Sequence, residues 1–171
     1  MKKLFFFITL FSFLIGCNIK QKPLVYYLST LENMGTLPIG KEDSAKILKV
    51  KLSAEKSLEN CKKNYGASCV DDIEILSREV QFRGGINKFR KILFEKFKVP
   101  KNAKEGENRV RITIGTQDDL EKVEILRYTD ENTKKAIENV FKLKELNTWK
   151  SAKIYGIPVK EQFEISIFTK Q

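Results

Sequence analysis

Three cysteines in a chain without a single histidine bound the chemistry open to this sequence. Nucleophilic catalysis of the Ser-His or Cys-His type needs an imidazole, and so does a histidine-rich zinc site. No Gly-x-Ser-x-Gly elbow, phosphate-cradling loop or Gly-x-Gly-x-x-Gly turn is present. The carboxylate pairs Asp71-Asp72 and Asp118-Asp119 fall in turn-like stretches, whereas hydrolysis by carboxylates needs two acids held across a cleft. The expectation is a protein that is not an enzyme, with no catalytic residue, no metal and no cofactor. Cys61 and Cys69 enclose a short loop, Lys62 to Ser68, that contains Gly66. In an oxidising compartment such an isolated pair reads as a disulfide. It staples a local turn and stabilises by no more than about 2–3 kcal/mol in the chain-entropy model.

The remaining cysteine, Cys17, bears on where the chain resides. Lys2 and Lys3 precede an apolar run from Leu4 to Ile15, followed by Gly16 and Cys17. A basic start, a short apolar stretch and small residues at the end form a secretory signal. The run is about 12 residues, short of the ~20 that cross a bilayer. Leu14-Ile15-Gly16-Cys17 resembles the lipobox of bacterial lipoproteins. That resemblance implies that residues 1–16 are removed and that Cys17 is acylated, with palmitate or a similar chain. Cys17 then becomes the new first residue.

Removal of residues 1–16 leaves a length suited to one ordinary domain with an appendage. The whole chain carries a formal charge of +10, and loss of Lys2 and Lys3 keeps it strongly basic. Outside the cytoplasm, anionic lipid head groups or acidic protein surfaces, rather than nucleic acid, are the partners such an excess attracts.

The elements that must carry these residues follow from periodicity. Asn18 to Pro23 is a polar tether, and Leu24-Val25-Tyr26-Tyr27-Leu28 is an apolar segment that docks onto something else. Residues 48–52 fit strand alternation and helical spacing equally, with a helix favoured over Ser53 to Cys61. Ile73 to Val80 reads as an extended lead-in, and Gly84-Gly85 breaks the chain. Ile86, Phe89, Ile92, Leu93 and Phe97 mark one helical face, closed by Pro100. Val110, Ile112 and Ile114 alternate with Arg109, Arg111 and Thr113, and Val123 and Ile125 with Lys122 and Glu124. The two runs form an antiparallel hairpin. Asp130 or Asn132 can cap a second helix with Ala136, Ile137, Val140 and Phe141 on its apolar face. Trp149 is a core or interface anchor, and after the Gly156-Ile157-Pro158 turn a last strand buries Phe163, Ile165 and Ile167. The expected fold is α+β: a small antiparallel three-stranded sheet with two helices on one face, plus an N-terminal extension. The expected divisions are a signal peptide at 1–16, anchor and tether at 17–40, an extension with the disulfide loop at 41–80, and the sheet domain at 81–171.

Residues 82–168, about half of the chain, resemble the C-terminal domain of the TonB family. The resemblance rests on ordered features: Gly84-Gly85-Ile86, Phe97-Lys98-Val99-Pro100, Gly106, Val110-Arg111-Ile112-Thr113-Ile114, and Val123-Glu124-Ile125-Leu126. Trp149-Lys150, Gly156-Ile157-Pro158-Val159 and Phe163-Glu164-Ile165-Ser166-Ile167 complete the set. Two features depart from that family. Asp119-Leu120 replaces the common Asp-Gly in the hairpin, and no membrane-spanning helix or Pro-rich spacer appears. A lipid anchor occupies one leaflet and cannot sense a proton gradient, so this chain could join energy transduction only through a spanning partner.

The resemblance implies a lipid-anchored periplasmic binding module that engages an outer-membrane transporter or a coupling-complex component by strand addition, in transmembrane transport. The expected recognition edge is the last strand: Glu161, Gln162, Phe163, Glu164, Ile165, Ser166, Ile167 and Phe168. Proline at Ile165 or Ser166 is then expected to abolish capture without unfolding. The bland reading is that its charges merely guard an edge, and the alternative function is a structural or scaffolding envelope lipoprotein with no transport role. Asn18, in place of aspartate after the lipidated cysteine, leans towards the outer membrane.

Overall fold

The computed structural model describes residues 24–65, 69 and 76–170. The signal at 1–16, Cys17, the polar tether to Pro23, the acidic pair Asp71-Asp72 and the first part of the lead-in lie outside the described residues. In chain order the elements are β1 (Val25–Leu28), β2 (Glu32–Thr36), α1 (Lys41–Tyr65), β3 (Gln81–Phe82), α2 (Ile86–Lys96) and β4 (Gly106–Ile114). They continue with β5 (Leu120–Arg127), α3 (Glu131–Phe141), a 3-10 turn (Lys144–Leu146), β6 (Trp149–Lys150), β7 (Ala152–Ile154), β8 (Ile157–Val159) and β9 (Glu161–Lys170).

The alternating runs pair as their periodicity requires. β4 and β5 are antiparallel, with Val110 opposite Ile125 and Ile112 opposite Val123. Asp118 adopts a left-handed backbone (φ 61°) in the turn between them. β9 pairs antiparallel with β4 along its length, from Ile114↔Glu161 to Gly106↔Thr169. Val110, Ile112, Ile114, Phe163, Ile165 and Ile167 therefore share one face and are fully buried. Phe89 and Leu93 of α2 and Ile137, Val140 and Phe141 of α3 join the same core. The helix starts follow from local chemistry. Gly84 and Gly85 both take positive φ (92° and 85°), open to glycine at low cost. Asp130 accepts from the Thr133 backbone N–H at 2.9 Å and so caps α3. Trp149 lies among Phe82, Phe89 and Phe163 and donates its Nε1–H to the Leu146 carbonyl at 2.8 Å.

The α+β class is as expected, but the strand count is not. The main sheet has five strands, ordered β1-β9-β4-β5 with β2 also on β9, and two small ribbons, β3-β6 and β7-β8, accompany it. The two extra strands come from residues 25–36, inside the 17–40 anchor-and-tether span, where the sequence predicts a docking segment at 24–28 but no strand. Among the described residues there are three α-helices, the two expected on the sheet and one in the N-terminal extension. The third, α1, runs from Lys41 to Tyr65, well beyond the expected Ser53–Cys61. The ambiguous stretch 48–52 is helical, yet Leu48 and Leu52 are exposed while Ala54 is buried, so the leucine spacing does not mark the packed face. Gly156-Ile157-Pro158 is also more than a turn. Tyr155 and Gly156 (φ 51° and 82°) form the tight bend of a ribbon in which Pro158 faces Lys153. No described helix is long and apolar enough to cross a membrane.

Candidate functional site

The expected recognition edge is a strand interior to the sheet. One side of β9 is taken by β4, and the other by β1 and β2 of the same chain. Val25 to Leu28 pair with Lys170 to Ile167, and Glu32, Gly35 and Thr36 pair with Glu164, Gln162 and Glu161. Between them, the Ser29 backbone N–H donates to the Ser166 carbonyl and the Ser166 N–H to Ser29 Oγ, both at 2.9 Å. The expectation of a free edge at residues 161–168 is therefore corrected. Two segments cause this: the apolar residues 25–28 dock on 167–170, and Glu32–Thr36 lies along 161–164. A proline at Ile165 or Ser166 strikes the middle of the sheet rather than an open rim: Ile165 lies in the core and Ser166 is buried.

The two halves of the covering segment are held differently. β1 is anchored by its side chains. The Tyr26 hydroxyl donates to the backbone carbonyls of Phe94 and, at 3.3 Å, Phe97 at the end of α2, and its ring packs on both of theirs. Tyr27 stacks on Phe168 with ring centroids 4.8 Å apart. Arg90 reaches back to the Leu28 carbonyl at 3.2 Å. β2 is looser. Its register slips between Glu32 and Gly35, Asn33 sits at φ 51°, and all but Glu32 are exposed.

On the sheet face away from the core, β9 joins a charged network. Glu164 accepts both Nε and Nη2 of Arg111 (3.1 and 2.8 Å) on one oxygen, and Asn33 Nδ2 at 2.8 Å on the other. Glu107 accepts from the Ser166 hydroxyl at 2.7 Å, from Arg109 at 2.8 Å and from Arg127 at 3.1 Å. These bonds favour the ionised forms. The Ser166 hydroxyl and Arg109 lower the Glu107 pKa, and Arg111 lowers that of Glu164. Glu161 behaves oppositely: burial raises its pKa, partly countered by the Val80 N–H at 3.2 Å, while Glu79 pushes it further up.

Asn108 escaped the sequence reading. It is fully buried, donates to the Ile167 carbonyl at 3.1 Å and accepts from the Thr129 N–H at 2.8 Å. That ties β4 to β9 and to the entry of α3. Its one signal is its position two residues before Val110, on the inward side of the β4 alternation, masked by the polar neighbours Glu107 and Arg109. Asp118 lies in the hairpin turn, as its sequence context predicts, but it is not a bare turn residue. It in fact accepts from Lys150, from the Ser151 N–H and from the Ser151 hydroxyl, which hold it ionised well below the usual carboxylate range.

Cys61 and Cys69 form a disulfide with Cα atoms 5.9 Å apart, fastening the end of α1. No group of three or more His, Cys, Asp or Glu among the described residues could hold a metal ion. Comparison with family models, with curated proteins and with solved structures finds no match for this chain.

Proposed function

We propose that this chain is a lipid-anchored periplasmic binding module resembling the TonB C-terminal domain, and that it engages an outer-membrane transporter or a coupling-complex component by strand addition. The observation that carries this reading is the uneven cover on β9. β1 is fastened by Tyr26, Tyr27 and Arg90, whereas β2 lies over Glu161–Glu164 as a bulged, exposed segment. An incoming extended peptide that replaces β2 recovers the same backbone hydrogen bonds at the cost of few side-chain contacts. Capture is thus an exchange over residues 161–164 rather than addition to a bare edge. The anchor at Cys17 keeps the module at the envelope, and any energy coupling comes from a partner that spans the membrane.

A second reading has its own observation. A sheet edge already closed by the chain itself is also what a structural lipoprotein uses to stay unaggregated. Photocrosslinking in cells from Gln162, with captured proteins identified by mass spectrometry, separates the two. Capture of a transporter or coupling component supports exchange. Crosslinks confined to residues 32–36 of the same chain favour the scaffold.

A further inference from the structure

The sheet ends on β1 and β2 at one rim and on β5 at the other, and the β5 rim has a groove beside it. Among the described residues β5 pairs only with β4, so the outer backbone groups of Leu120–Arg127 have no strand beside them. α3 runs next to this rim, and between the two lies a groove of about 340 Å³. Val123, Ile125 and Phe141 form its apolar floor, and Lys134, Glu138 and Lys142 its margin. Val123 and Ile125 sit on the core-facing side of the sheet and are only partly buried. Leu126 and Tyr128 beside them are 43% and 42% exposed. An unpaired strand next to a helix, with an apolar groove between, is the geometry in which an extended peptide adds as a strand and seats a side chain.

The charges indicate which peptide. On β5 itself they are matched internally: Glu121 with Lys160, Lys122 with Glu124, and Arg127 with Glu107. The groove margin keeps a positive excess. Lys134 lies over the Tyr128 ring at 4.8 Å and is 3.9 Å from Glu131, and among the described residues Lys142 donates only to the neutral Asn139 at 3.3 Å. The groove lining thus holds two lysines to one carboxylate, Glu138, while Glu131 lies outside the lining. A second copy of the chain is a poor occupant, because the chain is formally +10 over its whole sequence and stays strongly basic without Lys2 and Lys3, so copies repel. We propose that the β5–α3 groove is a second binding site, for an extended acidic peptide that adds as a sixth strand on β5. One apolar side chain of that peptide rests on Val123, Ile125 and Phe141, and its carboxylates meet Lys134 and Lys142. This site does not depend on exchange at β9.

The test uses the full chain in lipid nanodiscs and a fluorescein-labelled nine-residue peptide of alternating glutamate and valine with a central leucine. Fluorescence anisotropy reports binding and amide hydrogen exchange locates it. The expected result is saturable binding that slows exchange across Leu120–Arg127. Replacing the glutamates of the peptide by lysine should weaken it by at least about tenfold. The double variant Lys134→Glu, Lys142→Glu should show a similar loss, with unchanged protection of the β4 and β9 amides. Unaltered exchange in β5 at saturating peptide overturns the proposal. So do equal affinity for the lysine peptide, protection appearing at β9 with release of β2, or self-association that consumes the β5 edge.

Discussion

Asn33 donates its Nδ2 to Glu164 Oε2 at 2.8 Å from a left-handed backbone, φ 51°. Among the described residues it is the one side-chain hydrogen bond from β2 to β9, and it comes from within the stretch Glu32–Gly35 where the register slips. Asparagine adopts this backbone more readily than most residues, while alanine there costs about 1 kcal/mol or more. Asn33→Ala should therefore lower stability by about 1–2 kcal/mol, combining backbone strain with the lost bond. Asn33→Gly retains the backbone and loses only the bond, so it should cost less. Urea unfolding of the pair separates the two effects, and hydrogen exchange at residues 32–36 should quicken in both variants ahead of the core.

Tyr26 fastens the other half of the cover, and its two contributions can be separated. Tyr26→Phe removes the hydroxyl that reaches the Phe94 and Phe97 carbonyls while keeping the ring contacts. A loss of about 1 kcal/mol is expected for such a bond. Tyr26→Ala also removes the ring and should cost about 3 kcal/mol or more. It should release β1 from β9, seen as rapid exchange at the amides of Phe168 to Lys170. If the two variants have equal stability, the hydroxyl rather than the ring holds β1.

These contrasts explain what could and could not be read in advance. The β4–β5 hairpin and the faces of α2 and α3 were legible because strict alternation and 3.6-residue spacing leave one way to bury Val110, Ile112, Phe89 and Ile137. The tight bend at Tyr155-Gly156 hid behind Pro158, which argues against a strand. β2 was illegible for a different reason. Glu32-Asn33-Met34-Gly35-Thr36 has no apolar alternation and little strand propensity, so its extension is imposed by the unpaired groups of β9. The charged network shares that origin. Arg111 was visible as an outward residue, but its partner Glu164 lies 53 positions away, and only the fold brings them together.

The disulfide predicts a local effect. Cys61 and Cys69 close a loop of short sequence separation at the end of α1. Cys61→Ser should cost at most about 2–3 kcal/mol in the chain-entropy model. The loss should appear as faster hydrogen exchange in the last turns of α1, while Val110, Ile112 and Ile165 keep their protection. Loss of core protection in this variant would instead mean that α1 helps to close the core.

The carboxylates make opposing predictions for pH. For Asp130, burial works against the charge, but the N–H groups of Lys104 and Thr133 and the hydroxyls of Thr133 and Thr129 outweigh it and hold the pKa at about 2. A depressed pKa gives stability that is present above the ordinary aspartate value and lost as pH falls from about 4 towards 2. Glu107 and Glu164 act in the same sense. Glu161 has its pKa raised, first by burial, so its ionisation works against the fold. That penalty is absent below the ordinary glutamate value of 4.5 and grows as pH rises through the raised one. Glu161→Gln should accordingly raise the unfolding midpoint at pH 7, with the gain fading below about pH 4.5. Asp130→Asn should lower the midpoint at pH 7, with the deficit shrinking as pH approaches 2. Thermal unfolding of both variants across pH 2–8 gives two difference curves of opposite sign. A Glu161→Gln gain that persists at pH 3 would assign the effect to packing rather than to charge.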